Sequence, residues 1–368
     1  MSSFYKRITA LRERLSVVEP DTAWIIVPEN RRYLSGYSAK DSMLTESSGC
    51  LLINKDNCLL VTDSRYTVQA KNEAADFDIR TINQNMVEGL GKIITLMGTK
   101  NLGFEEQYLT WKLYHEISDV LSKSFEPVCL SPLNCIVEDM RKIKDEQEIH
   151  AIEVSAAMIS KVMDAVIEDL EPGMSEKDIS WKIQGMIHDS GADGLAFPPI
   201  VASGPNSALP HAVPTDRRIK THEPVVIDIG LEHKGYCSDI TRTVFLQDAT
   251  PELKKIYSTV RQAQLRAIEG IKPGMSTDTA DALARDVIED AGYGKFFRHA
   301  LGHGVGLAVH ERPRIAVTKP VTIKEGMVFT VEPGIYIPDL GGVRLEEMVL
   351  VNADGVRILT SAGHFYDF

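Results

Sequence analysis

The sequence predicts an α/β protein of the α+β kind in two domains, the second being an internally duplicated unit with a pseudo-twofold. Three observations lead there. A chain of 368 residues exceeds one ordinary domain and is comfortable for two. The phrase PGMS occurs twice, in IEDLEPGMSEKDI from Ile167 and in IEGIKPGMSTDTA from Ile268, 101 residues apart, and the register holds without a gap to Gly191 and Gly292. Each copy is followed by strand, Gly-containing turn and strand, in EPVVIDIGLEHKGYCSDITRTV and in EGMVFTVEPGIYIPDLGGVRLEEMVLV.

Taken in order, residues 5–130 read as a helix, a strand over 23–27 and a strand pair, GCLLIN and CLLVTDS, joined as a hairpin around Lys55, Asp56 and Asn57. This part holds one histidine, His115, of the ten and no carboxylate cluster around it, so its role is structural, or to wall off a site. The proline turn and charged stretch in SPLNCIVEDMRKIKDEQEI place a boundary near residue 135, giving domains 1–135 and 136–368. Asp145 followed by Glu148 is a capping-box start to a helix that carries Ile149, Ile152, Ile159 and Ile167 on one face. In the two repeats, Ser175 and Ser276 are expected to cap helices that Gly191 and Gly292 close. Each repeat then supplies a hairpin with two acids: Asp228 and Asp239, eleven residues apart, and Glu332 and Glu346, fourteen apart.

Composition excludes several classes. The net charge of −12 without a long single-sign run argues against a nucleic-acid surface. No stretch approaches the roughly 18 consecutive apolar residues of a membrane span, and MSSFYKRITALRERLSVVEP lacks the apolar core of a signal peptide, so a soluble, cytoplasmic protein is expected. Cys50, Cys58, Cys129, Cys135 and Cys237 show no CxxC pairing, as for reduced thiols, and Cys237 reads as a small buried hydrophobe.

Carboxylates inside apolar strand sequence such as VVIDIG and VFTVEPG are costly to bury unless paired with cations or bound to metal. Four acids gathered by a pseudo-twofold would repel one another and take up protons unless something divalent sat among them. RHALGHGVGLAVHE offers His299, His303 and His310 beside a glycine run that lets backbone approach closely. Oxygen ligands with one imidazole suit manganese, expected first, or cobalt, zinc or iron, better than calcium. No HExxH is present, and GHGVGL and GLGK are incomplete as nucleotide loops.

These residues make the chain similar to the pita-bread metallopeptidases, which include Xaa-Pro dipeptidase (prolidase), aminopeptidase P and methionine aminopeptidase. That family uses an Asp, a second Asp eleven positions on, a His in a GHGxG setting, a Glu in a TxEPG setting and a final Glu; Asp228, Asp239, His303, Glu332 and Glu346 fill all five. The likeness is strong over residues 136–368 and weaker in the first domain, which resembles the smaller domain of the creatinase and prolidase branch. It implies a pita-bread fold and two metal ions, with Asp228 on one, His303 and Glu332 on the other, and Asp239 and Glu346 bridging. It also implies a homodimer.

The activity implied is hydrolysis of the Xaa-Pro bond by metal-activated hydroxide, with Glu332 moving the proton and His310 and His211 holding substrate and oxyanion. His299 is a further substrate-side candidate. Arg344, two before Glu346, is expected to orient that bridging acid, and Thr241 to donate a supporting hydrogen bond. Arg314 in HERPR is either a clamp for the free carboxylate of a dipeptide or an exposed charge, and since longer-peptide relatives can carry the same HExPR pattern it favours dipeptidase over aminopeptidase only slightly. The extra N-terminal domain points to peptides with proline in second position rather than to methionine removal. Metal-free relatives, creatinase or binding modules of this fold, are marked by lost ligands, and none is lost here.

Overall fold

The computed structural model describes residues 3–41, 43 and 45–368, and the chain falls into two compact units, up to Met140 and from Arg141 onward. The first unit contains helices α1 (Ser3–Leu15), α2 (Pro28–Ser35), α3 (Thr67–Glu73), α4 (Met86–Leu96) and α5 (Trp111–Ser122), and α6 (Ile136–Arg141) leads out of it. Its strands are β1 (Thr22–Ile25), β2 (Cys50–Ile53), β3 (Cys58–Thr62), β4 (Asp78–Thr81), β5 (Asn101–Phe104) and β6 (Cys129–Pro132), in sheet order β4-β3-β2-β1-β5-β6. The expected hairpin is β2 and β3, paired from Cys50 opposite Val61 to Ile53 opposite Cys58. TAWI and CLLI are buried at every residue, which explains why these central strands are apolar runs rather than alternating ones.

A buried acid in this unit has a structural task. Val27 occupies the N-cap of α2 and has no side chain to cap with. Glu105 does so from across the sheet, accepting from Ile26 N at 2.6 Å, Val27 N at 2.8 Å and Asn30 Nδ2 at 2.6 Å. Burial lifts its carboxyl to about 7. His115 packs edge-on against Trp111, ring centroids 4.0 Å apart.

The second unit opens with α7 (Glu146–Glu168), whose N-terminus carries the Asp145–Glu148 capping box. Then follow α8 (Glu176–Asp189), β7 (Gly194–Leu195), β8 (Ile200–Ser203), β9 (Val225–Ile229), β10 (Leu231–His233), β11 (Tyr236–Cys237) and β12 (Ile240–Val244). The second half supplies α9 (Pro251–Gly270), α10 (Thr277–Asp290), β13 (Gly302–Gly304), β14 (Glu311–Ile315), β15 (Val328–Val331), β16 (Gly334–Ile337), β17 (Gly341–Arg344), β18 (Glu347–Asn352) and β19 (Gly355–Ile358).

The duplication is visible in the hydrogen bonds. Gly173 N donates to Ile219 O and Gly274 N to Ile323 O, each at 2.9 Å; Ser175 bridges Arg218 and Ser276 bridges Thr322. Gly191 and Gly292 close α8 and α10 with φ of 81° and 83°, a conformation open to glycine at little cost. The caps differ. Ser175 makes a full capping box with Asp178, but Ser276, expected to cap α10, makes no side-chain bond to the helix backbone because its hydroxyl turns to the Asp278 carboxylate.

Each half folds its hairpin the same way: β9 pairs with β12, placing Asp228 opposite Thr241, and β15 with β18, placing Val331 opposite Glu347. The hairpins then cross, Glu346 N donating to Thr241 O at 3.1 Å and Arg344 N to Thr243 Oγ1 at 3.0 Å. Helix pair α7–α8 packs on one hairpin through Ile159, Met163, Ile183 and Ile227. Pair α9–α10 covers the other through Ile256, Val260, Ala284 and Phe329. Among the described residues no helix is long and apolar enough to cross a membrane.

Candidate metal centre

All four acids sit at strand ends where the hairpins cross. Asp228 lies in β9, Asp239 just before β12, Glu332 just after β15 and Glu346 just before β18. His303 comes from β13, whose Gly302 and Gly304 flank it for a steric reason: a Cβ at Gly302 would stand 1.9 Å from Thr330 O, and one at Gly304 2.4 Å from Arg312 O. Ligand atoms of Asp239, His303 and Glu346 lie within 4.8 Å of one another. His303 Nε2 is 3.4 Å from Glu332 Oε1 and 3.7 Å from Asp239 Oδ2.

The charges are badly matched. Burial, then the charges of Glu346 and Asp228, hold the Asp239 carboxyl far above its ordinary range. Burial, then Glu332 and Asp228, do the same to Glu346. Burial lifts Glu332 to about 8, and burial, then the His310 charge, push His303 down to about 3, so its imidazole is neutral and able to ligate. Oδ1 of Asp228 and Oδ1 of Asp239 are buried and accept no hydrogen bond among the described residues. Orphaned acid oxygens, crowded carboxylates and a neutral imidazole fit divalent metal.

Arg344 corrects one expectation. Its guanidinium reaches Asp228 rather than Glu346, with Nη2 2.6 Å from Asp228 Oδ2. Residues 344 and 346 do not share a strand, since β17 ends at Arg344 and β18 begins at Glu347, so the two-residue alternation fails across the break. Nε of Arg344 donates to Thr241 Oγ1 at 3.1 Å, and Thr241 Oγ1 donates in turn to Glu346 Oε2 at 2.7 Å. Nη1 donates to Pro210 O at 3.1 Å and to the Tyr336 hydroxyl at 3.0 Å, and that hydroxyl lies 2.9 Å from His299 Nε2. His299 therefore meets Tyr336, and burial lowers its pKa to about 4. Nothing in the sequence marks Tyr336, because GIYI reads only as strand.

His310 and His211 are both exposed. The His310 ring lies 4.2 Å from that of His303, centroid to centroid; though one side meets solvent, desolvation of the inner side, then the His211 charge, lower its pKa. Arg314 is exposed and pairs across the strands with His303, so both side chains leave the same face.

A second residue without a sequence signal is Glu311. Its carboxylate, 6 % exposed, meets Arg141 and, at 2.7 Å, Lys144, cations 170 and 167 residues away in the chain. A Cβ at Gly306 would collide with it at 2.5 Å, so this trio anchors the stretch between His303 and His310. Glu311→Gln leaves Lys144, 1 % exposed, charged without its carboxylate, and is expected to cost about 3–5 kcal/mol of stability in urea unfolding. A loss under about 1 kcal/mol would show a pair worth no more than a surface one.

Comparison with known proteins gives the family. The chain matches Metallopeptidase family M24 over residues 150–353 and the Creatinase/Prolidase N-terminal domain over residues 7–143. It is 37% identical over 342 residues to the Xaa-Pro dipeptidase of Pyrococcus furiosus, covering 92% of this chain and 93% of that protein. A solved Xaa-Pro dipeptidase from Bacillus anthracis superposes with a TM-score of 0.92 at 34% identity, over 98% of each chain. An X-Pro aminopeptidase from Thermotoga maritima does so with 0.84 at 36% identity, over 96% of this chain and 98% of its own. The chain belongs to metallopeptidase family M24, the pita-bread metallopeptidases, in the branch that carries a creatinase/prolidase N-terminal domain.

Proposed function

We propose that the chain is a dipeptidase hydrolysing Xaa-Pro dipeptides, with two divalent ions, manganese first among the candidates, held by Asp228, Asp239, His303, Glu332 and Glu346. The observation that carries it is the crowd of buried carboxylates against a neutral His303, with two acid oxygens lacking a donor among the described residues. Metal ions bound there would acidify a water and polarise the scissile carbonyl.

The chain's own groups supply the rest. Glu332 turns Oε1 to Thr330 and His303, which leaves its second oxygen to carry a proton from water to the departing proline nitrogen. An Xaa-Pro bond lacks the N–H that ordinary peptidases grip, so hold must come from elsewhere. His310 and His211 are exposed donors suited to the carbonyl oxygen and the developing oxyanion. Arg344 fixes Asp228, and Thr241 fixes Glu346, so both acids meet a substrate already oriented.

Arg314 bears on dipeptide against longer peptide. It is exposed, beside His303, and among the described residues its side chain has no hydrogen-bond or ion-pair partner, which leaves a guanidinium fork for a proline carboxylate. Arg314→Ala is expected to lower kcat/KM on Xaa-Pro about 10–100-fold, through KM, and to spare Xaa-Pro-Xaa. Equal loss on both peptides, or wild-type preference for Xaa-Pro-Xaa, would make the enzyme an aminopeptidase. Preference for Met-Ala in the same panel would overturn proline specificity. Family likeness supports a homodimer, and five cysteines without a disulfide support the cytoplasm as its compartment.

A further inference from the structure

Among the described residues the His211 side chain has no hydrogen-bond partner, although a group that must meet an oxyanion has to be held to a fraction of an ångström. Its position is therefore set by the backbone of loop 203–215, and that loop is tied to a buried carboxylate which the peptidase reaction does not use. Glu176, at the first position of α8, is 0 % exposed. Its Oε1 accepts from Ser203 N at 2.8 Å, Ser203 Oγ at 2.9 Å and Asn206 Nδ2 at 3.1 Å. Its Oε2 accepts from Thr215 N at 3.0 Å, Thr215 Oγ1 at 2.7 Å and the same Asn206 amide.

One side chain thus grips the loop at both ends, with His211 between. Arg344 holds the middle through Pro210 O, and Gly342 N donates to Ser207 Oγ at 2.7 Å. The duplication supplies a control inside the molecule. Thr277 stands at the matching position of α10, and its backbone repeats the contact, donating to Val321 O at 3.0 Å as Glu176 N donates to Arg217 O. Its side chain goes no further among the described residues, accepting from Val321 N at 3.1 Å on the returning chain. The shared helix start needs no carboxylate, and the half that carries the His211 loop has one. A buried charge costs several kcal/mol unless it is fully paired, and every donor that pairs this one, backbone or side chain, belongs to that loop.

We infer that Glu176 is a positioning residue for peptide hydrolysis, holding loop 203–215 so that His211 stands at the metal centre. This rests on the role given to His211 above. Glu176→Gln keeps the shape and sets an amide NH2 against the loop's donors; Asn206→Ala and Thr215→Val loosen the same grip from the loop side and leave the core intact. Measurements are manganese content, Xaa-Pro turnover alone and combined with His211→Ala, and backbone hydrogen exchange.

Expected are unchanged manganese content, a 10–100-fold loss of kcat/KM in Glu176→Gln, smaller losses in the loop variants, and faster exchange confined to 203–215. Glu176→Gln/His211→Ala should be no worse than His211→Ala alone, as for two residues acting through one group. If His211→Ala retains full turnover, the role of His211 falls and this positioning falls with it. If His211→Ala is impaired but the double variant multiplies the two losses, or exchange in 203–215 is unchanged, the inference about Glu176 alone is overturned.

Discussion

Asp239→Ala and Glu346→Ala are each expected to lose bound metal and Xaa-Pro turnover together, with turnover falling by at least about three decades. Both acids stand where the two hairpins cross, and both are nearly sealed from water, at 4 % and 2 % exposure. Losing several kcal/mol of transition-state stabilisation corresponds to that fall in rate. The metal-free variants should nevertheless be at least as stable as the metal-free parent, since each removes a carboxylate that repels Asp228 and Glu332. Elemental analysis and calorimetry on the same preparations read both effects. A variant that keeps metal and rate would show that the ligands lie elsewhere.

Stripping the metal should make the protein lose stability as pH rises between about 6.5 and 8, the opposite of ordinary acid-sensitive behaviour. Folded Glu332 titrates near 8, and Asp239 and Glu346 are likewise raised, whereas unfolded carboxyls titrate near 4. A group whose pKa is raised by folding stabilises below its unfolded value, and that stability drains away as pH climbs through the folded value. His303 and His299, lowered to about 3 and 4, act the other way, but their contribution is complete once pH exceeds the unfolded histidine value of about 6.5. Above that only the carboxylates remain, each worth up to about 1.36 kcal/mol per pH unit while it ionises. Manganese should therefore raise the melting temperature more at pH 8 than at pH 6.5. A metal-free protein as stable at pH 8 as at pH 6.5 would show that the acids do not crowd one another.

How much of this could be read from the residues depends on range. The duplication was legible because PGMS and its spacing survive in both halves, and the strands because VVIDI and VFTV are apolar but for Asp228 and Thr330. Asp145 and Glu148 announce their capping box within four residues. The partner of Arg344 was not legible, because a strand break after it sends the side chain across the crossing hairpin to an acid 116 residues away. Glu311 gave no signal for the same reason: HER looks like a surface charge pair until Lys144 and Arg141 close over it. Ser276 shows the limit of local rules, since a competing acid two residues on takes its hydroxyl from the helix. Patterns with a period betray themselves, whereas a choice between distant partners is made only by packing.

The most direct measurement is crystallographic: anomalous scattering from the manganese-loaded protein, with turnover measured before and after chelation. Two ions per chain are expected between the hairpins, Asp239 and Glu346 touching both, with turnover lost on chelation and regained with manganese. Ions bound away from these five side chains, or full Xaa-Pro hydrolysis after chelation, would contradict a centre built from two similar halves.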